Sequence, residues 1–381
     1  MKPANALPKA SDSTRILEFR KEIRNIRHWM DTPNATLPPP PLLIIYPTYT
    51  CTNPSSHYRR NLLCSNCIYQ GFHSTQQQLD IQILSDLLHE AIDLGIRNIQ
   101  FSGGGEPLEY QDLDKLFDVL YSIRKTTPDL LLGLLTNGLY LREEQAKHVA
   151  TLFSYVRLSF AEGPCTDREL MARFSENLRH LLAYGMSNSS LRIGLKLLVS
   201  HTNCGVLGDQ VLKLRYLIGE YYFTRLNHIR VKAMRSVNPN IEPTEQDAAQ
   251  FTSAFDKVLQ EEFSLWPDDV QIDLDLGYTN SDFRCYLSPL FGMVDPSGRL
   301  IACYNYAEAY DDLVIGDLHA HSFRELWGTE NHRHIINHIN NVSVCNSRRG
   351  CPCRFAKYQE VFGKSSPTQG PSVSKEVAVL L

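Results

Sequence analysis

Cysteine is the residue type whose number and spacing in this sequence first suggest chemistry. The chain has ten cysteines, and most of them fall into two groups. The first group has the spacing C-x12-C-x2-C and consists of Cys51, Cys64 and Cys67. The second group begins after residue 284 and consists of Cys285, Cys303, Cys345, Cys351 and Cys353. Thiolates bind zinc and iron–sulfur clusters, so the two groups predict two metal sites.

The number of cysteines in the first group bears on which metal they bind. A structural zinc ion takes four closed ligands, whereas three thiolates on a four-iron cluster leave one iron open. Zinc remains an alternative, because His57 or His73 could supply a fourth ligand. The two cysteines between the groups, Cys165 and Cys204, are expected to be ordinary small buried residues.

A glycine-rich segment follows the second predicted strand. Residues 98–101 read as a strand and lead directly into Gly103, Gly104, Gly105 and Glu106. Glycines at the carboxyl end of a parallel strand let a ligand approach the backbone, and a fixed carboxylate accepts hydrogen bonds from an ammonium group. Alone, such a segment usually forms only a tight turn. After a three-cysteine loop it indicates a ligand site.

The elements that must position these residues alternate between strand and helix. Apolar runs predict strands at 42–46, 98–101, 130–135, 155–160, 191–199 and 228–233. Helical periodicity predicts helices at 79–94, 113–124, 143–151, 168–183, 209–221 and 244–262. Six such units predict an α/β fold with parallel strands and helices outside. They are too few for a full eight-fold barrel, so we expect a partial (β/α)6 barrel.

These motifs resemble the radical S-adenosylmethionine superfamily over residues 42–358. The resemblance rests on G-G-E-P at 104–107, T-N-G at 136–138, and a fourth strand that ends in Ser159. The first cysteine gap is twelve residues here, where the family's usual gap is three. The aromatic residue that usually precedes the last cysteine is absent, and we expect Tyr69 to supply that ring.

The resemblance implies a cofactor set and a role for each site residue. It implies a catalytic 4Fe–4S cluster held by Cys51, Cys64 and Cys67, whose open iron chelates the amino and carboxylate groups of S-adenosylmethionine. The residues implied to contact that cosubstrate are Gly104, Gly105 and Glu106 at the ammonium, Ser159 at the carboxylate or ribose, and Asn137 in the same pocket. Reductive cleavage would then give a 5′-deoxyadenosyl radical that abstracts a hydrogen from substrate.

The second cysteine group resembles the auxiliary-cluster domains called SPASM and twitch. The shared pattern is C-x12-G-x4-C, with Gly298 expected in the turn of a hairpin. Five cysteines are too few for two clusters, so the resemblance implies one auxiliary 4Fe–4S cluster. Its ligands would be Cys285, Cys303 and two of Cys345, Cys351 and Cys353, and a structural zinc site is the alternative.

Four segments are expected along the chain. They are an N-terminal extension with a proline linker (1–41), the partial barrel (42–262), a metal-stabilised hairpin and helix domain (282–358), and a disordered tail (364–381). No signal peptide or membrane segment is evident, which predicts a cytoplasmic protein. The net charge of −4 disfavours a nucleic-acid partner.

The expected function is a net oxidation by a radical enzyme, with a sugar, cyclitol or secondary metabolite as its small-molecule substrate. The auxiliary cluster would accept an electron, and an external donor such as flavodoxin or ferredoxin would reduce the catalytic cluster. Two alternatives stay open: a maturase that modifies a peptide or protein side chain, and a zinc-stabilised binding module without catalysis.

Overall fold

The computed structural model describes residues 20–51, 69, 72, 75–160, 167–201, 203–233, 244–261, 269–273, 285–303 and 310–339. The strands are β1 (Leu42–Ile45), β2 (Asn98–Phe101), β3 (Leu131–Thr136), β4 (Tyr155–Phe160), β5 (Arg192–Val199), β6 (His228–Ala233), β7 (Asp269–Asp273), β8 (Phe291–Val294), β9 (Arg299–Ile301) and β10 (Val314–Asp317). The helices are α1 (Arg20–Asp31), α2 (Ile81–Asp93), α3 (Leu113–Thr126), α4 (Glu143–Leu152), α5 (Arg168–Gly185), α6 (Leu207–Ile218), α7 (Glu220–Phe223), α8 (Glu245–Glu261), α9 (Phe323–Leu326) and α10 (Glu330–Ile339).

All of these strands belong to one sheet, in the order β10-β9-β8-β1-β2-β3-β4-β5-β6-β7. Strands β1 to β7 pair in parallel, each with its neighbour in sequence. The predicted α/β class with an open parallel sheet is therefore confirmed. The structure adds a seventh parallel strand, β7, to the six that were predicted. It also places the late hairpin in the same sheet, because β8 pairs in parallel with β1.

Helix α2 illustrates why the predicted helices form where they do. Its apolar residues recur at helical spacing, and the four that are buried are Leu84, Leu87, Leu88 and Ala91. Asp80 caps the amino end, because its Oδ1 accepts hydrogen bonds from the backbone nitrogens of Gln82 and Ile83 at 2.8 and 3.2 Å. Gly95 follows the helix with a φ of 89°, a conformation that glycine adopts without strain.

The two faces of the sheet carry different kinds of side chain. On β4, Phe160 packs against Phe174 of helix α5, with ring centroids 5.2 Å apart, so Phe160 faces the helices. Side chains alternate along a strand, and Tyr155, Arg157 and Ser159 therefore share the opposite, concave face. The hydroxyl of Tyr155 crosses β3 and donates to Gln100 Oε1 at 3.0 Å. On β4 the concave face is thus polar, whereas the outer face is apolar.

Helix α1 packs against the C-terminal part of the described chain. Trp29 is fully buried, and its Nε1 donates to the carbonyl of Gly328 at 3.2 Å. In return, Trp327 Nε1 donates to the carbonyl of Pro38 at 2.9 Å. The expected extension and linker are therefore tied, through 20–41, to the segment around α9 and α10. No helix among the described residues has the length and apolarity needed to cross a membrane.

Candidate active site

The candidate site lies at the edge of the sheet where parallel strands β1 to β4 end. Cys51 follows β1, the glycine segment follows β2, and Asn137 follows β3. Ser159 is the second-last residue of β4. Carboxyl ends of neighbouring parallel strands share one edge of a sheet, and ligands of such folds bind there. The structure therefore brings the described part of the predicted site to one edge.

The glycine segment is hydrogen bonded to the segment that leads into Cys51. The backbone nitrogen of Gly105 donates to the carbonyl of Thr48 at 3.0 Å, and that of Glu106 donates to the carbonyl of Thr50 at 2.9 Å. Cys51 is the next residue and is half-buried. A thiol ligand and a backbone cradle are thus fixed relative to each other by main-chain bonds.

Glu106 is a buried carboxylate with three donors from its own chain. Only 2% of the Glu106 surface is exposed. Oε1 accepts from Thr136 Oγ1 at 2.6 Å and from the nitrogen of Leu108 at 3.2 Å. Oε2 accepts from the nitrogen of Asn137 at 2.7 Å. Burial raises the pKa of Glu106 to about 7, although these hydrogen bonds act to lower it.

Asn137 and Ser159 contribute in different ways. The Asn137 side chain accepts a hydrogen bond from the nitrogen of Leu139 at 2.8 Å, so it stabilises its own turn. Asn137 reaches the candidate site through its backbone nitrogen, which bonds Glu106. Ser159 is half-buried on the concave face, where its Cα pairs with that of Lys196 on β5. Sequence reasoning identified Asn137 but not Thr136, whose hydroxyl makes the shortest bond to Glu106.

An aromatic cluster covers the glycine segment. Its members are Tyr46, Tyr49, Tyr69 and Phe72. Tyr49 stacks on Phe72 with ring centroids 4.9 Å apart, and the hydroxyl of Tyr69 donates to that of Tyr46 at 3.4 Å. A Cβ on Gly104 would overlap the Tyr49 ring, so only glycine allows this contact. Tyr69 is buried among these rings.

The late hairpin lies against the first site. Residues 295–298 form the turn between β8 and β9, and Gly298 has the expected turn conformation with a φ of 75°. Asp295 in this turn is fully buried, and its Oδ2 accepts from the Tyr49 hydroxyl at 3.2 Å. Burial raises the pKa of Asp295 to about 6. The turn therefore contacts the segment that precedes Cys51.

Two described cysteines of the second group lie at the base of this hairpin. Cys285 is buried and Cys303 is half-buried. The hydroxyl of Ser288 donates to the carbonyl of Ala302, which brings the two segments that carry these cysteines together. Burial raises the pKa of the Tyr69 hydroxyl, and the half-buried Cys303 packs against the hydrophobic core to which Tyr69 belongs.

Several predicted ligands lie outside the described residues. They are Cys64, Cys67, Cys345, Cys351 and Cys353, together with the alternative ligands His57 and His73. Within the part of the chain that the structure describes, no three histidine, cysteine, aspartate or glutamate residues form a metal-binding group. Cys204 is buried, as expected, whereas Cys165 is outside the described ranges.

The architecture is shared with solved structures. A structure of anSMEcpe with bound AdoMet gives a TM-score of 0.55 at 17% identity, over 84% of this chain and 85% of that chain. A second, of anSMEcpe with bound AdoMet and Kp18Cys peptide, also gives 0.55 at 17% identity, over 84% of this chain and 88% of that chain. This chain has the fold of the radical S-adenosylmethionine enzymes. The radical S-adenosylmethionine fold suggested by the motifs is therefore confirmed.

A short segment of the chain is also similar in sequence to another protein. The chain is 47% identical over 62 residues to the GTP 3′,8-cyclase of Nautilia profundicola. The match spans 16% of this chain and 18% of that relative. No protein-family model matches the chain.

Gly105 offers a test of the contact between the glycine segment and the cysteine segment. A Cβ at this position would lie under 3.0 Å from backbone atoms of Thr48, Tyr49 and Thr50. We expect Gly105→Ala to lower the free energy of unfolding by about 1–3 kcal/mol, because the backbone before Cys51 must move. Chemical denaturation measures the free energy of unfolding. Iron content is measured separately, after anaerobic reconstitution.

The matched control for this variant is Gly205→Ala. Its Cβ would meet only the flexible end of the Gln250 side chain at 3.3 Å. Equal stability and equal iron content in the two variants would contradict the role given to Gly105.

Proposed function

We propose that this protein is a radical S-adenosylmethionine enzyme. One observation carries the proposal: main-chain bonds join the glycine segment at 104–106 to residues 48–50, directly before Cys51. A metal-binding thiolate and a cradle for the ammonium group of S-adenosylmethionine are needed side by side in such an enzyme. The buried carboxylate, the close-approach glycines and the thiol fit that pair of ligands chemically.

Each residue then has a defined task. Cys51, Cys64 and Cys67 hold a 4Fe–4S cluster, which supplies the electron for reductive cleavage of S-adenosylmethionine. Glu106 accepts hydrogen bonds from the methionyl ammonium, for which its oxygens are held in place by Thr136 and Asn137. Ser159 contacts the carboxylate or the ribose. The substrate lies on the concave face, away from water.

An auxiliary 4Fe–4S cluster is the second part of the proposal. Its ligands are Cys285 and Cys303 with two of Cys345, Cys351 and Cys353. The hydrogen bond from Tyr49 to Asp295 supports it, because this bond holds the hairpin beside the segment that leads into Cys51. Held by these cysteines, that cluster would supply an acceptor for the electron left on the substrate, and the net reaction would then be an oxidation. An external flavodoxin or ferredoxin reduces the catalytic cluster.

The substrate class proposed here is a small molecule. Charged side chains on the concave face, among them Arg157, support a compact charged ligand. A peptide is the second candidate, because anSMEcpe was solved with a bound peptide and has the same fold. A zinc-stabilised binding module is disfavoured, since it would not need a buried carboxylate beside the cysteine segment.

Iron and product analysis tests this proposal. We expect anaerobically reconstituted protein to hold about eight irons per chain and to release 5′-deoxyadenosine from S-adenosylmethionine under reducing conditions. The double variant Cys285→Ala/Cys303→Ala should hold about four irons and still release 5′-deoxyadenosine, without oxidised product. Colorimetric iron and sulfide assays and chromatography of 5′-deoxyadenosine measure both outcomes.

Two results would overturn parts of this proposal. Zinc in place of iron in the wild-type protein would favour the binding module. Normal product yield from the double variant would make the late cysteines structural, and the reaction would then be redox-neutral. Because a metal-built segment can unfold when a ligand is lost, the variant must first be shown to be soluble and to retain the catalytic cluster.

A further inference from the structure

A buried hydrogen bond joins the late hairpin to the segment that precedes Cys51. Tyr49 is 1% exposed and Asp295 is fully buried, and the Tyr49 hydroxyl donates to Asp295 Oδ2 at 3.2 Å. The two residues are 246 positions apart in the chain. A hydroxyl and a carboxylate both lose water when they are buried, so breaking this bond within the folded protein is costly. The bond therefore favours one position of the hairpin relative to the Tyr49 ring.

The carboxylate of Asp295 is held by the turn that carries it. Its Oδ1 accepts hydrogen bonds from the backbone nitrogens of Ser297 and Arg299 at 3.0 and 2.9 Å. Gly298 completes the turn, since its nitrogen donates to the carbonyl of Asp295 at 3.0 Å. Because these bonds fix the carboxylate within the turn, the position of the hairpin determines where the Tyr49 hydroxyl is bound.

The ring of Tyr49 extends this connection to the glycine segment. A Cβ on Gly104 would lie 2.3 Å from Cε1 of that ring, so the ring and the glycine backbone are in direct contact. The ring also stacks on Phe72, with centroids 4.9 Å apart. One side chain therefore touches the proposed cradle for the ammonium group with its ring and binds the hairpin turn with its hydroxyl.

Two further connections lie next to this bond. The hydroxyl of Ser297 donates to Gln77 Oε1 at 2.8 Å, and the carbonyl of Gln77 accepts from the nitrogen of Tyr49 at 2.9 Å. The nitrogen of Tyr46 donates to the carbonyl of Val294 at 2.8 Å, where β8 ends. The hairpin and the segment before the first cysteine group are therefore joined through both side chains and main chain.

The other end of the hairpin carries two candidate ligands of the auxiliary cluster. Cys285 lies before the start of β8, and Cys303 lies just beyond the end of β9. The antiparallel pair of β8 and β9 connects that end to the turn at 295–298. The same element therefore sets the position of these cysteines and the position of the turn.

We propose that Tyr49 and Asp295 are positioning residues that couple S-adenosylmethionine binding to the docking of the late hairpin. The inference rests on the proposed function, because it concerns the cosubstrate site and the auxiliary ligands named there. With the hairpin docked, Asp295 holds the Tyr49 ring against Gly104, and the glycine segment keeps the conformation that accepts the ammonium group. Such coupling would prevent the radical from forming before its electron acceptor is in place.

A mutant cycle measured as S-adenosylmethionine affinity tests the coupling. Calorimetry on anaerobically reconstituted protein gives the dissociation constant without turnover. We expect Tyr49→Phe to raise this constant about fivefold or more, with the catalytic cluster retained, since coupling between sites commonly changes affinity by at least that factor. Cys285→Ala/Cys303→Ala should raise it by a similar factor. Combining all three changes should add little further, because both sets break the same connection.

A conservative variant separates the hydrogen bond from other effects of the substitution. In Asp295→Asn the side-chain oxygen can still accept from the nitrogens of Ser297 and Arg299, and the amide nitrogen can donate to the Tyr49 hydroxyl. We therefore expect Asp295→Asn to bind S-adenosylmethionine almost as tightly as the wild-type protein, in contrast to Tyr49→Phe.

The matched control for Tyr49→Phe is Tyr155→Phe. It also removes a buried tyrosine hydroxyl that donates to a side chain, in this case Gln100 Oε1 at 3.0 Å. Tyr155 is the first residue of β4, at the end of the strand away from Ser159. The control should leave the dissociation constant for S-adenosylmethionine unchanged.

Three results would each overturn the coupling. They are wild-type affinity in Tyr49→Phe, an equal loss in Asp295→Asn or Tyr155→Phe, and losses that add fully in the combined variant. If the combined variant lost its catalytic cluster, Tyr49→Phe and Asp295→Asn would decide, since both retain every cysteine. A wild-type protein without an iron–sulfur cluster would refute the proposed function, whereas unchanged affinity in a cluster-loaded Tyr49→Phe protein would refute the coupling alone.

Discussion

Replacing Cys51, Cys64 and Cys67 together by alanine is expected to abolish cleavage of S-adenosylmethionine. The iron content should fall from about eight to about four per chain, because one of two four-iron clusters loses all of its protein ligands. Without that cluster no group at the site supplies a low-potential electron. The barrel should stay folded, since the bonds from the glycine segment reach the backbone of Thr48 and Thr50 and involve no thiol. Iron analysis and chromatography of 5′-deoxyadenosine measure the result.

The control for this triple variant is Cys204→Ala. Cys204 is a buried thiol that belongs to neither cysteine group, and its Sγ donates to Asp247 Oδ1 at 3.4 Å. It should keep full iron content and full cleavage. Release of 5′-deoxyadenosine by the triple variant would remove the basis of the proposed function. A loss of iron in Cys204→Ala would mean that the ligand assignment is wrong.

The parallel strands were predictable from sequence because they are buried on the outer face. The predictions at 98–101, 155–160 and 228–233 match β2, β4 and β6 at both ends. In each, fully buried apolar residues alternate with other residues under a layer of helices, which gives a strong local signal. The predicted helix ends also lie close to the observed ones. For example, α8 begins directly after Thr244, whose hydroxyl accepts a hydrogen bond from the nitrogen of Asp247 at 3.2 Å.

The elements that sequence reasoning missed depend on tertiary contacts or on one backbone conformation. Strand β7 has the sequence DVQID, which lacks an apolar run and forms by pairing with β6. The helix predicted at 209–221 is instead α6 and α7, separated at Gly219, which has a φ of 87°. The late hairpin was expected to form a separate appendage. Its pairing with β1 joins residues about 250 positions apart, which no local pattern reports.

The candidate site was predictable in its residue types but not in its hydrogen bonds. Motif spacing identified Glu106, yet its bonds to Thr136 and Asn137 join residues about 30 positions apart.

Replacing Glu106 by glutamine is expected to weaken S-adenosylmethionine binding by about ten- to a hundredfold. Hydrogen bonds to charged partners contribute about 1.5–3 kcal/mol, and about 1.4 kcal/mol corresponds to a factor of ten. Glutamine retains one oxygen that can accept from Thr136, but its amide nitrogen is a donor and cannot accept from the nitrogen of Asn137. Iron content should stay unchanged, since Glu106 is not a proposed ligand. Calorimetry on the reconstituted protein measures the affinity.

The pH dependence of the same variant gives a second, independent measurement. The pKa of Glu106 is raised from its usual 4.5 to about 7 by burial, so below pH 7 the site must lose a proton before it can bind an ammonium group. Affinity of the wild-type protein should therefore rise about tenfold per pH unit below 7 and level off above it. Glu106→Gln should lack this dependence.

Folding stability should change in the opposite sense, because the folded state holds the proton more tightly than the unfolded state does. Between about pH 4.5 and pH 7 the folded protein without S-adenosylmethionine binds more protons, so its free energy of unfolding should fall as the pH rises through that window. Glu109→Gln is the matched control, since Glu109 is a half-buried acid in the same short segment. It should retain both dependences. If Glu106→Gln bound S-adenosylmethionine as tightly as the wild-type protein at pH 8, the ammonium contact would have to belong to another residue.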